Sequence, residues 1–178
     1  MVGSAKRGLV LVFTGDGKGK TTAALGLALR AWGQGLRVLV IQFVKGDVET
    51  GELKAAARMD GLEVRPLGAG FVFPGDEEGL HRHREAAAAA LGAARAALEG
   101  RGYEMVVLDE IFVALSLGLV TLDEVSALPD QKPEGVHLVL TGRGAPPEIV
   151  ARADLVTEMR EIKHHYRSGV GAQRGIEY

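Results

Sequence analysis

The sequence predicts an α/β protein with a mainly parallel central sheet flanked by helices. Two observations carry this. Short runs made almost wholly of apolar residues recur along the chain, as strands buried on both faces require. Between them lie stretches whose apolar residues repeat every three or four positions, the helical period. Strands separated by helices pair in parallel through right-handed crossovers. The chain has 178 residues, with no repeat, linker or shift in composition, so residues 1–178 are read as one domain.

Leu9–Phe13 (Leu-Val-Leu-Val-Phe) is the first predicted strand. A glycine-rich loop follows, then a helix over Lys20–Trp32 whose Ala24, Leu25, Ala28, Leu29 and Trp32 share one face. Gly33 and Gly35 are expected to stop it. Val38–Val44 is a second buried strand, Gly51–Met59 a helix and Leu62–Arg65 a short strand. Residues 66–79 are punctuated by Pro66, Gly68, Gly70, Pro74, Gly75 and Gly79 around Phe71-Val72-Phe73. A loop of that length is usually functional or disordered. Asp76–Leu98 reads as a long Ala-rich helix with acids at its start, favourable to the helix dipole. Tyr103–Asp109 and Val136–Thr141 are further buried strands. Thr121–Leu128 is a helix opened by a capping box, Thr121 with Glu124 three residues on. Pro146–Arg152 is a helix and Asp154–Met159 a strand. The tail from Glu161 to Tyr178 shows no period.

Composition narrows the function. Apolar residues make up 47% and charged residues 25%, ordinary for a folded domain. Lys+Arg number 21 against 23 Asp+Glu, without the basic excess expected of a protein held to nucleic acid by phosphate contacts. There is no Cys, which excludes disulfides, thiolate metal sites, iron–sulfur clusters and a Cys nucleophile. No apolar run reaches the roughly 18 residues of a membrane helix, and the N-terminus lacks the form of a secretory signal. The expected location is the cytoplasm.

The strongest local signal is Thr14-Gly15-Asp16-Gly17-Lys18-Gly19-Lys20-Thr21-Thr22. It lies between a buried strand and a helix, the context a phosphate-binding P-loop needs. Glycines let backbone N–H groups turn inward around phosphate oxygens, and the helix N-terminus adds partial positive charge. Lys20 is placed to reach the phosphates and the Thr21 hydroxyl to ligate Mg²⁺. The strict pattern has Gly where this chain has Thr14, so Gly15 and Gly17 are expected to supply the turn. The second element is Met105-Val-Val-Leu-Asp109-Glu110, an apolar strand ending in acid, the Walker B pattern. Its C-terminal end should face the phosphate loop, because ligands of such sheets bind outside the carboxyl ends of strands. Together these predict the P-loop NTPase fold of RecA-like type. They do not separate a small kinase or ATPase, a group transferase and a non-catalytic ATP-binding switch.

Further segments fit no generic P-loop pattern: Gln42-Phe43-Val44-Lys45-Gly46, Gly70-Phe71-Val72-Phe73, Leu140-Thr141-Gly142-Arg143-Gly144 and Lys163-His164-His165-Tyr166-Arg167-Ser168-Gly169 through Gly175-Ile176-Glu177-Tyr178. In order with the phosphate loop and Asp109-Glu110, they closely resemble the ATP:corrinoid adenosyltransferases, from about residue 8 to the C-terminus. The departure at Thr14 is shared with that family.

The resemblance implies attack by cobalt(I) of a corrinoid on C5′ of ATP, with inorganic triphosphate leaving. It implies ATP held in reverse, the ribose carbon toward the acceptor, by Thr14 to Thr22 with Arg143 as a phosphate or corrin contact. Lys20, Thr21 and Glu110 are the implied catalytic residues. Thr21 and Glu110 are Mg²⁺ candidates, with Asp109 second. Phe71 and Phe73 would pack by the lower corrin face. Where Phe73 stands some members have Trp, and Gly171 stands where a Lys is common. An external electron donor, such as a flavoprotein, must make cobalt(I). A homodimer is expected, with no nucleic-acid or membrane partner.

Overall fold

The structure is a computed structural model and describes residues 7–46, 49–70 and 77–178. It contains one six-stranded sheet: β1 (Val10–Thr14), β2 (Val38–Gln42), β3 (Leu62–Pro66), β4 (Met105–Asp109), β5 (His137–Thr141) and β6 (Leu155–Glu158). The order is β3-β2-β4-β5-β1-β6, and every pairing is parallel. The predicted α/β class is therefore observed. All C-terminal strand ends lie on one side, and β5 separates the strand before the phosphate loop from the strand ending in acid, the RecA-like arrangement of the P-loop NTPase fold.

The central strands are apolar except at their ends because both faces are covered. Leu11 and Phe13 of β1 pack with Val38, Val40, Val107 and Val139 under α1 (Lys20–Gly33). Val12, Leu39, Ile41, Val106, Leu108, Leu138 and Leu140 point to the other face. They meet α3 (Glu77–Glu99) through Ala87, Ala90, Leu91, Ala94 and Leu98. Ala24, Ala28 and Ala31 are the buried small residues that let α1 lie close to the sheet. That fixes where the phosphate loop, its N-terminal extension, can go.

The boundaries differ from the sequence reading in ways that have physical causes. β2 stops at Gln42: Phe43 N–H to Asp109 O is the last bond of its ladder with β4, and the chain bends at Phe43 and Val44. α1 runs through Gly33, and its stop is Gly35 at φ 78°. Gln34 and Gly35 N–H cap the carbonyls of Ala31 and Trp32. α2 is only Gly51–Ala56. The expected helix over Thr121–Leu128 is two pieces, α5 (Leu122–Ser126) and α6 (Leu128–Gln131). The predicted capping box is present, Glu124 N–H donating to Thr121 Oγ1 and Thr121 N–H to Glu124. α4 (Ile111–Ser116) was not expected. Five of its six residues are apolar, so its period is hidden. α7 is Pro147–Arg152, and the tail holds one 3-10 turn, His165–Ser168. Within the loop predicted for residues 66–79, Phe71 and Phe73 lie outside the described residues.

Candidate active site

The phosphate loop leaves β1 at Thr14 and enters α1 at Lys20. Gly15 and Gly19 have φ of 92° and 119°, values an L side chain adopts only with strain. Gly15 has a second constraint, since a Cβ there would lie 2.4 Å from Met159 O. The end of β6 grips the loop, with Met159 N–H donating to Thr14 O at 2.7 Å and Gly17 N–H to Met159 O at 2.7 Å.

Thr14 has a structural job that a glycine could not do. Its Oγ1 accepts a hydrogen bond from Ala145 N–H at 3.0 Å. This ties the phosphate loop to the Gly142–Ala145 turn that presents Arg143. Gly142, at φ 140° with Phe112 Cβ 2.7 Å from where its own Cβ would be, is fixed by space as well as by angle. Thr14→Val keeps the shape and removes the acceptor. The cost of one such bond is about 1 kcal/mol. The expected result is a roughly fivefold higher KM for ATP with kcat little changed, restored by Thr14→Ser. Steady-state kinetics on the two variants decide it.

Lys20 is buried, 6% exposed. Its Nζ donates to Gly15 O and Gly17 O, both at 2.8 Å. An ammonium has three protons, so one remains to point into the cradle. Burial holds its pKa below the ordinary lysine value, and Arg143 adds to this against the opposing pull of Glu110, Asp16 and Asp109.

The two carboxylates at the end of β4 are in different states. Asp109 is buried, and both of its oxygens accept hydrogen bonds from protein donors. Its Oδ1 accepts from Thr21 Oγ1 and Thr141 Oγ1, each at 2.8 Å, and its Oδ2 from Gln42 Nε2 at 3.4 Å. Glu110 has φ 62°, the left-handed region that a non-glycine residue occupies at a cost. Its N–H is held by Thr141 Oγ1 at 2.9 Å, and its carboxylate makes no hydrogen bond among the described residues. Burial and the neighbouring Asp109 raise its pKa above the ordinary glutamate value, while Lys20, Arg143 and Lys45 oppose the shift. The site thus contains one carboxylate held by three protein donors and one open carboxylate.

These donors fit Mg²⁺, a hard cation bound by one or two protein oxygens together with substrate phosphates. Among the described residues no group of three or more His, Asp or Glu could hold a metal.

Of the residues singled out from the sequence, the structure brings together Thr14 to Thr22, Asp109, Glu110 and Arg143. Asp16, Lys18 and Thr22 are exposed at the loop. Lys18 is turned to the tail, its Nζ 3.3 Å from Glu177. Thr141 and Gln42 fell inside quoted segments but carried no assigned role. Their register beside β1 and β4 is a tertiary fact.

The family model for ATP:corrinoid adenosyltransferase BtuR/CobO/CobP matches residues 6–178. The chain belongs to the ATP:corrinoid adenosyltransferase family. The corrinoid adenosyltransferase of Pseudomonas aeruginosa is 39% identical over 174 residues, 97% of this chain and 85% of that protein. The corrinoid adenosyltransferase of Escherichia coli (strain K12) is 37% identical over 173 residues, 97% of this chain and 87% of that protein. Among solved structures, the flagellar accessory protein FlaH from Methanocaldococcus jannaschii aligns with a TM-score of 0.57 over 88% of this chain and 73% of its own. At 13% identity that likeness shows the fold alone. Membership makes this adenosyltransferase a transferase acting in cobalamin biosynthesis, with ATP and a corrinoid as substrates. The readings as a kinase, an ATPase or a non-catalytic switch give way. No described helix is long and apolar enough to cross a membrane.

Proposed function

We propose that Thr14 to Thr22 cradle the triphosphate of ATP, that Lys20, Thr21 and Glu110 carry its departure, and that the acceptor corrinoid sits beyond the ends of β2 and β3. The observation that carries this reading is the pairing of a buried ammonium with one free proton, Lys20, and an open carboxylate, Glu110, at one end of the sheet. Cobalt(I) is already a strong nucleophile, so the chain needs no general base. Its task is to hold C5′ in line and to stabilise charge that builds on the leaving triphosphate. Lys20 and the loop N–H groups meet that charge, and Arg143 is placed to add to it. Mg²⁺, when bound, would supply further charge neutralisation on the phosphate oxygens. Thr21 and Glu110 are the residues proposed to hold it, with Asp109 orienting the Thr21 hydroxyl.

Product analysis tests the reading. With ATP, Mg²⁺ and chemically reduced corrinoid, the expected products are inorganic triphosphate and a light-sensitive cobalt–carbon species in equal amounts. ADP and phosphate as the main products would overturn it.

Phe71 and Phe73 are proposed to pack against the lower corrin face and keep the lower ligand away during reduction. Phe71→Ala with Phe73→Ala should then lower activity about tenfold when assays start from cobalt(II). The loss from prepared cobalt(I) should be much smaller, and ATP affinity should stay within about threefold, under roughly 0.7 kcal/mol. Equal loss in both assays would reduce the pair to a packing role. The chain is further proposed to act in the cytoplasm with an external, flavoprotein-like electron donor. Leu155, Val156, Ile162, Tyr166 and Val170 leave apolar surface on β6 and the tail, which supports a homodimer. Light scattering tests it.

A further inference from the structure

Gln42 is 1% exposed and stands in register with Asp109 across β2 and β4. Its Nε2 faces two carboxylates, Asp109 Oδ2 at 3.4 Å and Glu52 Oε1 at 3.3 Å. Turning the amide over would set its oxygen against both, so the donor end must point this way. Lys45 Nζ, 2.7 Å from Glu52 Oε1, balances the charge on that side. The amide oxygen is buried with no donor among the described residues. An orphaned acceptor costs stability, so the amide is not explained by packing.

The backbone of the same residue holds a different part of the molecule. Gln42 O accepts from Leu67 N–H at 3.0 Å and Gly68 N–H at 3.1 Å. Gly68 N–H also reaches Lys45 O, and Gly70 N–H reaches Val44 O, both at 3.0 Å. The two segments lie so close that a Cβ on Gly68 would be 2.4 Å from the Val44 carbonyl carbon. Leu67–Gly70 therefore cannot move without Gln42–Lys45. Gln42 in turn contacts the carboxylate that orients Thr21.

We propose that Gln42 is a positioning residue that couples the two substrate sites. Its backbone carries the segments leading to the corrinoid, and its amide carries Asp109 and, through Asp109, the Thr21 hydroxyl on the ATP side. Filling either site then favours the arrangement that the other needs. This rests on the acceptor-side reading given under Proposed function. It adds that the coupling runs through one amide. Coupling of this kind is reciprocal and typically amounts to about 5–150-fold in affinity.

The test is a binding cycle on the full chain. The affinity of cob(II)alamin, read from its visible spectrum, is measured with and without ATP and Mg²⁺. The affinity of ATP with Mg²⁺ is measured by calorimetry with and without cob(II)alamin. Gln42→Met keeps the length of the side chain and removes the donor. Gln42→Asn keeps the amide and draws it back from Asp109, and it serves if the methionine variant does not fold. In the wild-type protein each ligand is expected to tighten the other by at least about fivefold. In either variant each ligand alone should bind within threefold of wild type, while the mutual tightening falls below twofold. A merely structural role would weaken both ligands or lower Tm and leave the ratio intact. An unchanged ratio in the variants overturns the proposal alone. Two ligands that bind the wild-type protein independently also overturn it alone. A wild-type protein that binds no cob(II)alamin under either condition overturns it together with the acceptor-side reading.

Discussion

Lys20→Ala is expected to lower kcat/KM by about 10²–10³, the usual cost of removing one preorganised donor at a developing charge. The argument is geometric first. Two of the three ammonium protons are committed to Gly15 O and Gly17 O at 2.8 Å, which locks the third over the loop. Because burial already disfavours the charged lysine, an incoming triphosphate recovers part of that cost by pairing with it. ATP should therefore raise the Tm of the wild-type protein, as any ligand that binds only the folded state does. The shift should shrink sharply in the variant. Lys20→Arg should not rescue, because a planar guanidinium cannot reproduce two bonds to carbonyls inside so small a loop. Kinetics and thermal shift together decide the matter. A variant that keeps more than half the wild-type kcat/KM would place Lys20 away from the phosphates.

The sheet was legible because its signals are local. Short apolar runs such as Val10–Phe13 and Met105–Leu108 need no partner information to be recognised as strands. The Thr121 capping box was legible for the same reason. The α4 helix was not, since Ile111, Phe112 and Ala114 are buried while the remainder of its six residues gives no polar face to set the period. In the site, the phosphate loop and the acidic pair were legible as motifs. The division of labour between Asp109 and Glu110 was not. It depends on Thr141 and Gln42 arriving from β5 and β2 to donate to Asp109, and on a positive φ at Glu110 that turns its carboxylate free of them. Neither fact is written in the order of residues. The same holds for Thr14, a departure from the motif along the chain and a tie to Ala145 in space.

That division of labour leads to the other large effect. Glu110→Gln keeps size and backbone and removes only the open charge. If Glu110 helps hold Mg²⁺ on the triphosphate, activity should fall by two to three decades, since the metal is worth several kcal/mol in such transfers. The ligand-free protein should respond in the opposite sense. A carboxylate whose pKa is raised in the folded state contributes stability below its ordinary pKa of 4.5 and loses it as pH rises through the folded value. At neutral pH the ionised Glu110 therefore costs stability. Glu110→Gln should melt higher than wild type at pH 7, and the difference should vanish toward pH 4. Asp109→Asn should behave otherwise. It puts a donor or a weaker acceptor against the Thr21, Thr141 and Gln42 hydrogen bonds, so Tm should fall at neutral pH along with activity. Thermal melts of both variants across pH 4–8, with activity at saturating Mg²⁺, separate the two carboxylates. A Glu110→Gln protein that stays active beside a stable but inactive Asp109→Asn protein would transfer the metal-holding role to Asp109. The observed geometry opposes that outcome, because all three donors reaching Asp109 come from the protein itself.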